Sequence, residues 1–189
     1  MMASASAVAC SSTRPSYGAV SSMPASRPQP VPPGPGQESV WDYPRPPRVE
    51  PCRSQVEAVF AGVTIAVTLA SLRVLETSHP PNYYFPPDSV IPGVLRASTR
   101  TSWCEWKGEA RYYSVVHRGK AVADAAWTYL DPLPGYESLA GYLAFYPGLM
   151  EACLVDTELV LPQPGGFYGG WITSRVAGPF KGEPGSSGW

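Results

Sequence analysis

Charge is scarce in this chain of 189 residues: Asp, Glu, Lys and Arg make up 15% of it, against about a quarter of an ordinary domain. The 14 basic residues face 15 acidic ones, for a net charge of -1. The basic excess that neutralises phosphates is therefore missing, and neither nucleic acid nor an acidic membrane surface is expected as a partner. Histidine occurs twice, as His79 and His117, and the 4 cysteines, Cys10, Cys52, Cys104 and Cys153, lie far apart with no Cys-x-x-Cys pair. A structural zinc site needs four converging ligands, usually in close pairs, so no metal and no cofactor is expected. The cysteines read as reduced thiols of a soluble intracellular protein. Long apolar runs are also lacking. Ala58 to Ala70 is interrupted by Gly62, Thr64 and Thr68 and falls short of the ~20 residues that span a bilayer as a helix. There is no Gly-x-Ser-x-Gly elbow and no Asp-x-Asp pair, which removes the usual Ser-hydrolase and magnesium-phosphate signatures.

Aromatic residues, at 12%, and 23 Pro with 18 Gly are what the chain has instead. They predict a loop-rich fold held by rings more than by charge. Residues 1–37 contain no Asp or Glu, only Arg14 and Arg27, many Ser and Ala, and a proline run from Pro28 to Pro35. Such a leader buries too little apolar surface to offset its ordering entropy and is expected to be disordered, extended where proline dominates. It is either a plain flexible tail on a cytoplasmic protein or a transit peptide for a plastid or mitochondrion. Residues 38–189 are expected to form one domain.

Within that domain, β-branched runs at Val56 to Phe60 and Val63 to Val67 flank Ala61-Gly62, a hairpin signal. Leu72 to Glu76 and Tyr83 to Phe85 read as further strands. Ser102 to Lys107 alternates, which would set Trp103, Glu105 and Lys107 on one strand face. Arg111 to His117 and Ala121 to Tyr129 flank Arg118-Gly119-Lys120 as a second hairpin. Pro134 to Tyr142 is the one short helix predicted, with proline at its start and Tyr136, Leu139 and Leu143 at helical spacing. Ala152 to Val155 and Leu159 to Leu161 complete the strands. The sum is a mainly β domain, a sandwich or open barrel, with one short helix.

Two polar pairs carry candidate chemistry. Glu76 and His79 sit three apart at a strand end fixed by Pro80-Pro81, an arrangement suited to general acid or base work and equally to a capped turn. Glu105 and Lys107 are either a surface ion pair or a partly buried pair between Trp103 and Trp106. The glycine-rich Pro164 to Trp171 lacks the spacing of a phosphate loop and reads as backbone bared for rings to pack on.

The phrases Glu76 to Pro87, Trp103 to Tyr113, Ala144 to Gly148 and Gln163 to Thr173 resemble the family of domain of unknown function 427, also labelled nucleotidyltransferase-like. The resemblance extends over residues 38–189. It implies a small, mainly β protein similar to the β-tent folds, with no established activity. Glu76, His79, Tyr83, Glu105, Lys107, Trp127, Tyr146 and Trp171 match its motif positions, and the resemblance gives none of them a role. The nucleotidyltransferase label finds no metal-binding carboxylate pair here.

Three functions are compatible with these residues. The first is a small-molecule-binding or accessory domain, with Tyr83, Trp103, Trp127, Tyr146 and Trp171 walling a pocket and Glu76, His79, Glu105 and Lys107 at its polar end. The second is an enzyme using those four groups for acid-base chemistry. The third is a protein-interaction module built on the proline-rich segment.

Overall fold

The computed structural model describes residues 28–186 and 189. The readings placed on residues 1–27, disorder or a transit peptide, and on Cys10 lie outside the described residues. The described chain is mainly β. Its strands are β1 (Glu38–Ser39), β2 (Arg48–Cys52), β3 (Val56–Phe60), β4 (Val63–Thr68), β5 (Ser71–Leu75), β6 (Asn82–Phe85), β7 (Leu95–Cys104), β8 (Gly108–His117), β9 (Lys120–Tyr129), β10 (Leu143–Phe145), β11 (Ala152–Val155), β12 (Glu158–Leu159), β13 (Leu161–Pro162), β14 (Trp171–Ile172) and β15 (Val176–Ala177). An antiparallel seven-stranded sheet runs β2-β5-β6-β10-β9-β8-β7, and a four-stranded sheet runs β12-β11-β3-β4. Two small pairs, β1-β15 and β13-β14, complete the strand pairing.

Three hairpins turn through two residues with positive φ: Ala61-Gly62, Arg118-Gly119 and Asp156-Thr157. This geometry matches the right-handed twist of the flanking strands. Thr157, at φ 70°, is held there by its neighbour: Asp156 accepts the Gln55 N–H at 2.8 Å and pairs with Arg175 at 2.7 Å.

The central strands of the seven-stranded sheet are buried on both faces, and side-chain alternation separates them. Tyr83 and Phe85 of β6 and Leu143 and Phe145 of β10 share a core with Val56, Ala58, Phe60, Cys153 and Val155 of the four-stranded sheet. Tyr84 and Ala144, between them in sequence, belong to a second cluster with Tyr112, Trp127, Tyr129 and Leu139. A third cluster, Val40, Trp41, Tyr43, Leu75 and Val176, seats the small parallel pair.

Two expectations are corrected. The predicted strand Ser102 to Lys107 stops at Cys104, because Glu105-Trp106-Lys107 is the loop of a hairpin whose partner begins at Gly108, at φ 90°. Glu105 and Lys107 therefore do not share a strand face. The predicted helix over Pro134 to Tyr142 is a single 3-10 turn, Glu137–Leu139, since Gly135 at φ 92° and Gly141 at φ 75° break the helix at each end. Ahead of Glu38, the Val31 N–H donates to the Gly178 carbonyl at 2.8 Å and the Gln37 side-chain amide to the Ser174 carbonyl at 2.7 Å.

Candidate functional site

Strand register assembles the floor of a cavity. Ala144 of β10 pairs with Tyr84 of β6 on one side and with Trp127 of β9 on the other, and Trp127 pairs with Tyr112 of β8. One row across four strands thus reads Tyr84, Ala144, Trp127, Tyr112, with the small residue leaving space between rings. Trp127 Nε1 donates to the Tyr84 hydroxyl at 3.1 Å, fixing both rings, and Tyr146 packs on Trp127 with centroids 4.6 Å apart. Burial holds the Tyr84 and Tyr129 phenols well above their ordinary pKa, so both stay protonated at neutral pH. Above this floor is a cavity of about 280 Å³, lined among others by Glu76, His79, Glu105, Lys107, Trp127 and Tyr146.

Glu76, Thr77, Ser78 and His79 form a tight turn after β5. The His79 N–H closes on the Glu76 carbonyl at 2.9 Å, and Ser78 takes φ 69°. Glu76 and His79 do not pair with each other. Glu76 meets Arg45 at 3.0 Å. His79, 8% exposed, is bound by Gln163. The Gln163 Oε1 accepts the Gly170 N–H at 3.2 Å, so its amide nitrogen faces the other way and donates to the Lys181 carbonyl at 2.8 Å and to His79 Nδ1 at 2.9 Å. The imidazole proton is thereby left on Nε2. Burial, opposed by the Glu76 charge, pushes the His79 pKa down to about 4, so the ring is neutral at neutral pH.

Lys107 comes from the β7-β8 loop, where the Leu133 N–H holds its carbonyl at 3.2 Å. The side chain is 7% exposed and its ammonium lies 5.9 Å from the centroid of the Tyr129 ring. Glu105, two residues earlier, is exposed, and the Trp103 ring is 71% exposed at the cavity rim.

Two sequence candidates lie elsewhere. Trp171 is 1% exposed in the core against Tyr83 and Phe85, and Tyr83 borders a separate concavity beside Cys52 and Arg73. Alternation explains both: Tyr83 is on the opposite face of β6 from Tyr84. Sequence reasoning missed Asn82, Tyr84, Tyr112, Tyr129 and Gln163. The period-two pattern of β6, β8 and β9 could have grouped the tyrosines, whereas nothing local marks Gln163 as the partner of His79.

A family model described as domain of unknown function 427 matches residues 48–156, more than half of the chain. The chain belongs to this family. No curated protein matches it. The matched span of this DUF427 protein contains Glu76, His79, Glu105, Lys107, Trp127 and Tyr146, while Phe167, Tyr168 and Gly169 of the cavity wall and Gln163, the partner of His79, lie beyond it. Among the described residues of this DUF427 chain, no group of three or more His, Cys, Asp or Glu could hold a metal ion, and no helix is long and apolar enough to cross a membrane.

The glycines of that segment are required by packing. A Cβ on Gly169 would lie 2.2 Å from the Trp127 ring, and one on Gly170 would lie 2.3 Å from Gln163 Oε1 and 2.9 Å from the Pro80 carbonyl oxygen. Gly170→Ala is expected to cost about 1–3 kcal/mol through overpacking. Thermal denaturation checks it, and an unchanged midpoint would show that the segment can move aside.

Proposed function

We propose that this DUF427 chain is a small-molecule-binding or accessory domain whose ligand occupies the cavity over Trp127 and Tyr146. The observation that carries the reading is convergence: four polar groups from two distant loops and three candidate rings line one concavity. Ligand sites have this make-up, mostly apolar walls with a few fixed polar groups. A cavity of about 280 Å³ suits a ligand of one or two rings. Residues 38–189 act as one binding unit in this reading, since Tyr168, Gly169 and Lys181 from the C-terminal segment line the cavity and Gln163 binds its His79.

A screen of small ring compounds by two-dimensional NMR tests it. Binders are expected to shift the Trp127 indole N–H and to leave the core Trp171 indole unmoved. Hits that shift neither Trp127 nor Tyr146 count against the cavity as the site.

The fixed tautomer of His79 favours a second reading, an enzyme that moves a proton through the neutral imidazole with Lys107 stabilising a developing anion. Turnover separates the two: a hit recovered unchanged supports binding, and a hit consumed by the wild type but not by His79→Asn supports catalysis.

A further inference from the structure

We propose that the ligand of this cavity is a small planar monocarboxylate, its carboxylate seated against Lys107 and a ring N–H or O–H donating to Asn82. The inference rests on the binding reading above and names the chemical class that the site selects.

Lys107 is the first observation. Among the described residues its ammonium makes no hydrogen bond and no ion pair, and the Tyr129 ring is its one charge-stabilising neighbour. An ammonium on a largely buried side chain that lines a cavity and makes no ion pair is placed to take a counterion from a ligand. Neither carboxylate of the cavity lining pairs with it: Glu76 is held by Arg45 at 3.0 Å, and Glu105 stays exposed without an ion pair. The other cations lining the cavity are already engaged, Arg45 by Glu76 and the Lys181 ammonium by the Trp189 carbonyl oxygen. One free ammonium matches one negative charge, which favours a carboxylate over a phosphate with its greater charge and demand for donors.

Asn82 is the second, independent observation. Asn82 lines the same cavity, and its Oδ1, buried within the site, has no hydrogen-bond partner. A buried acceptor left unpaired is unfavourable, so a ligand carrying a donor is preferred to one without. The ring floor of Tyr84, Trp127 and Tyr112 favours a flat body between these two polar points.

Calorimetric titration of the full chain at pH 7 with indole-3-carboxylate, indole-3-carboxamide and 3-(aminomethyl)indole tests the class. These probes share a ring and differ in charge. The carboxylate is expected to bind about tenfold or more tightly than the carboxamide, with the amine weakest. Lys107→Met is expected to remove that advantage and Lys107→Arg to keep most of it. 1-Naphthoate, which lacks the ring donor, is expected to bind several-fold more weakly than indole-3-carboxylate. A smaller carboxylate advantage in the wild type, or a full one in Lys107→Met, overturns the proposal. If Lys107→Met does not fold, the wild-type ranking decides alone. A carboxamide or amine that binds best and shifts the Trp127 indole N–H overturns the anion class while leaving the cavity reading standing. If no probe of any charge shifts that signal, the cavity reading falls and this inference with it.

Discussion

Trp171→Ala is expected to destabilise the fold by about 3–5 kcal/mol, the usual cost of deleting a buried aromatic ring. The indole is enclosed by Tyr83 and Phe85, with centroids at 5.2 and 6.0 Å, and its N–H is satisfied by the Phe145 carbonyl at 3.2 Å. The substitution removes the ring, leaves a cavity between the two larger sheets and deprives that carbonyl of its side-chain donor. Urea denaturation should show a lowered midpoint with little change in slope. Trp171→Phe should recover part of the loss, since it restores most of the volume and none of the hydrogen bond. A cost below about 1 kcal/mol would instead place Trp171 where the sequence suggested, on the wall of a ligand site with little part in the core.

The second large effect is on acid stability. His79 has a folded pKa of about 4 against an ordinary 6.5, chiefly because burial disfavours the imidazolium. Between those two values the unfolded chain takes up a proton that the folded chain refuses. Stability therefore falls as pH drops from about 6.5 toward 4, and a pKa difference of this size corresponds to a loss of about 3 kcal/mol. Above pH 6.5 the contribution is constant. His79→Asn keeps an acceptor for the Gln163 amide and removes the titration. The stability difference between wild type and variant is then expected to shrink or reverse by about that amount across this window, as read from urea midpoints at half-unit intervals. Glu151 and Asp156, held below the ordinary carboxylate range by Lys120 and by Ser54 with Arg175, respond at lower pH in both proteins and cancel in the comparison. A flat difference would mean that His79 is open to solvent when folded.

Both effects turn on burial that distant parts of the chain supply, and this is where the sequence was legible and where it was not. The hairpins at Ala61-Gly62 and Arg118-Gly119 were readable because β-branched runs bracket a glycine turn, a purely local signal. The strand through Lys107 was misread because alternation continues past Cys104 into a loop, and only the positive φ of Gly108 shows where the chain turns. The helix over Pro134 to Tyr142 failed for a related reason: spacing that fits a helical face is overruled by glycines near both ends. At the site, Glu76, His79, Glu105 and Lys107 could be picked out as polar groups among rings, but their separate partners could not. Arg45 lies 31 residues from Glu76 and Gln163 lies 84 residues from His79, distances over which one sequence carries no pairing information. Tyr83 and Trp171 were grouped with the cavity rings because composition counts aromatics without knowing their side of the sheet.

Crystals soaked with a set of one- and two-ring fragments test whether the space above Tyr84, Ala144, Trp127 and Tyr112 is a ligand site. The expected result is density for bound fragments over Trp127 and Tyr146, with carboxylate-bearing fragments placing their oxygens within hydrogen-bond reach of Lys107 Nζ. Fragments found only at other surfaces, with side chains filling the cavity, would contradict it.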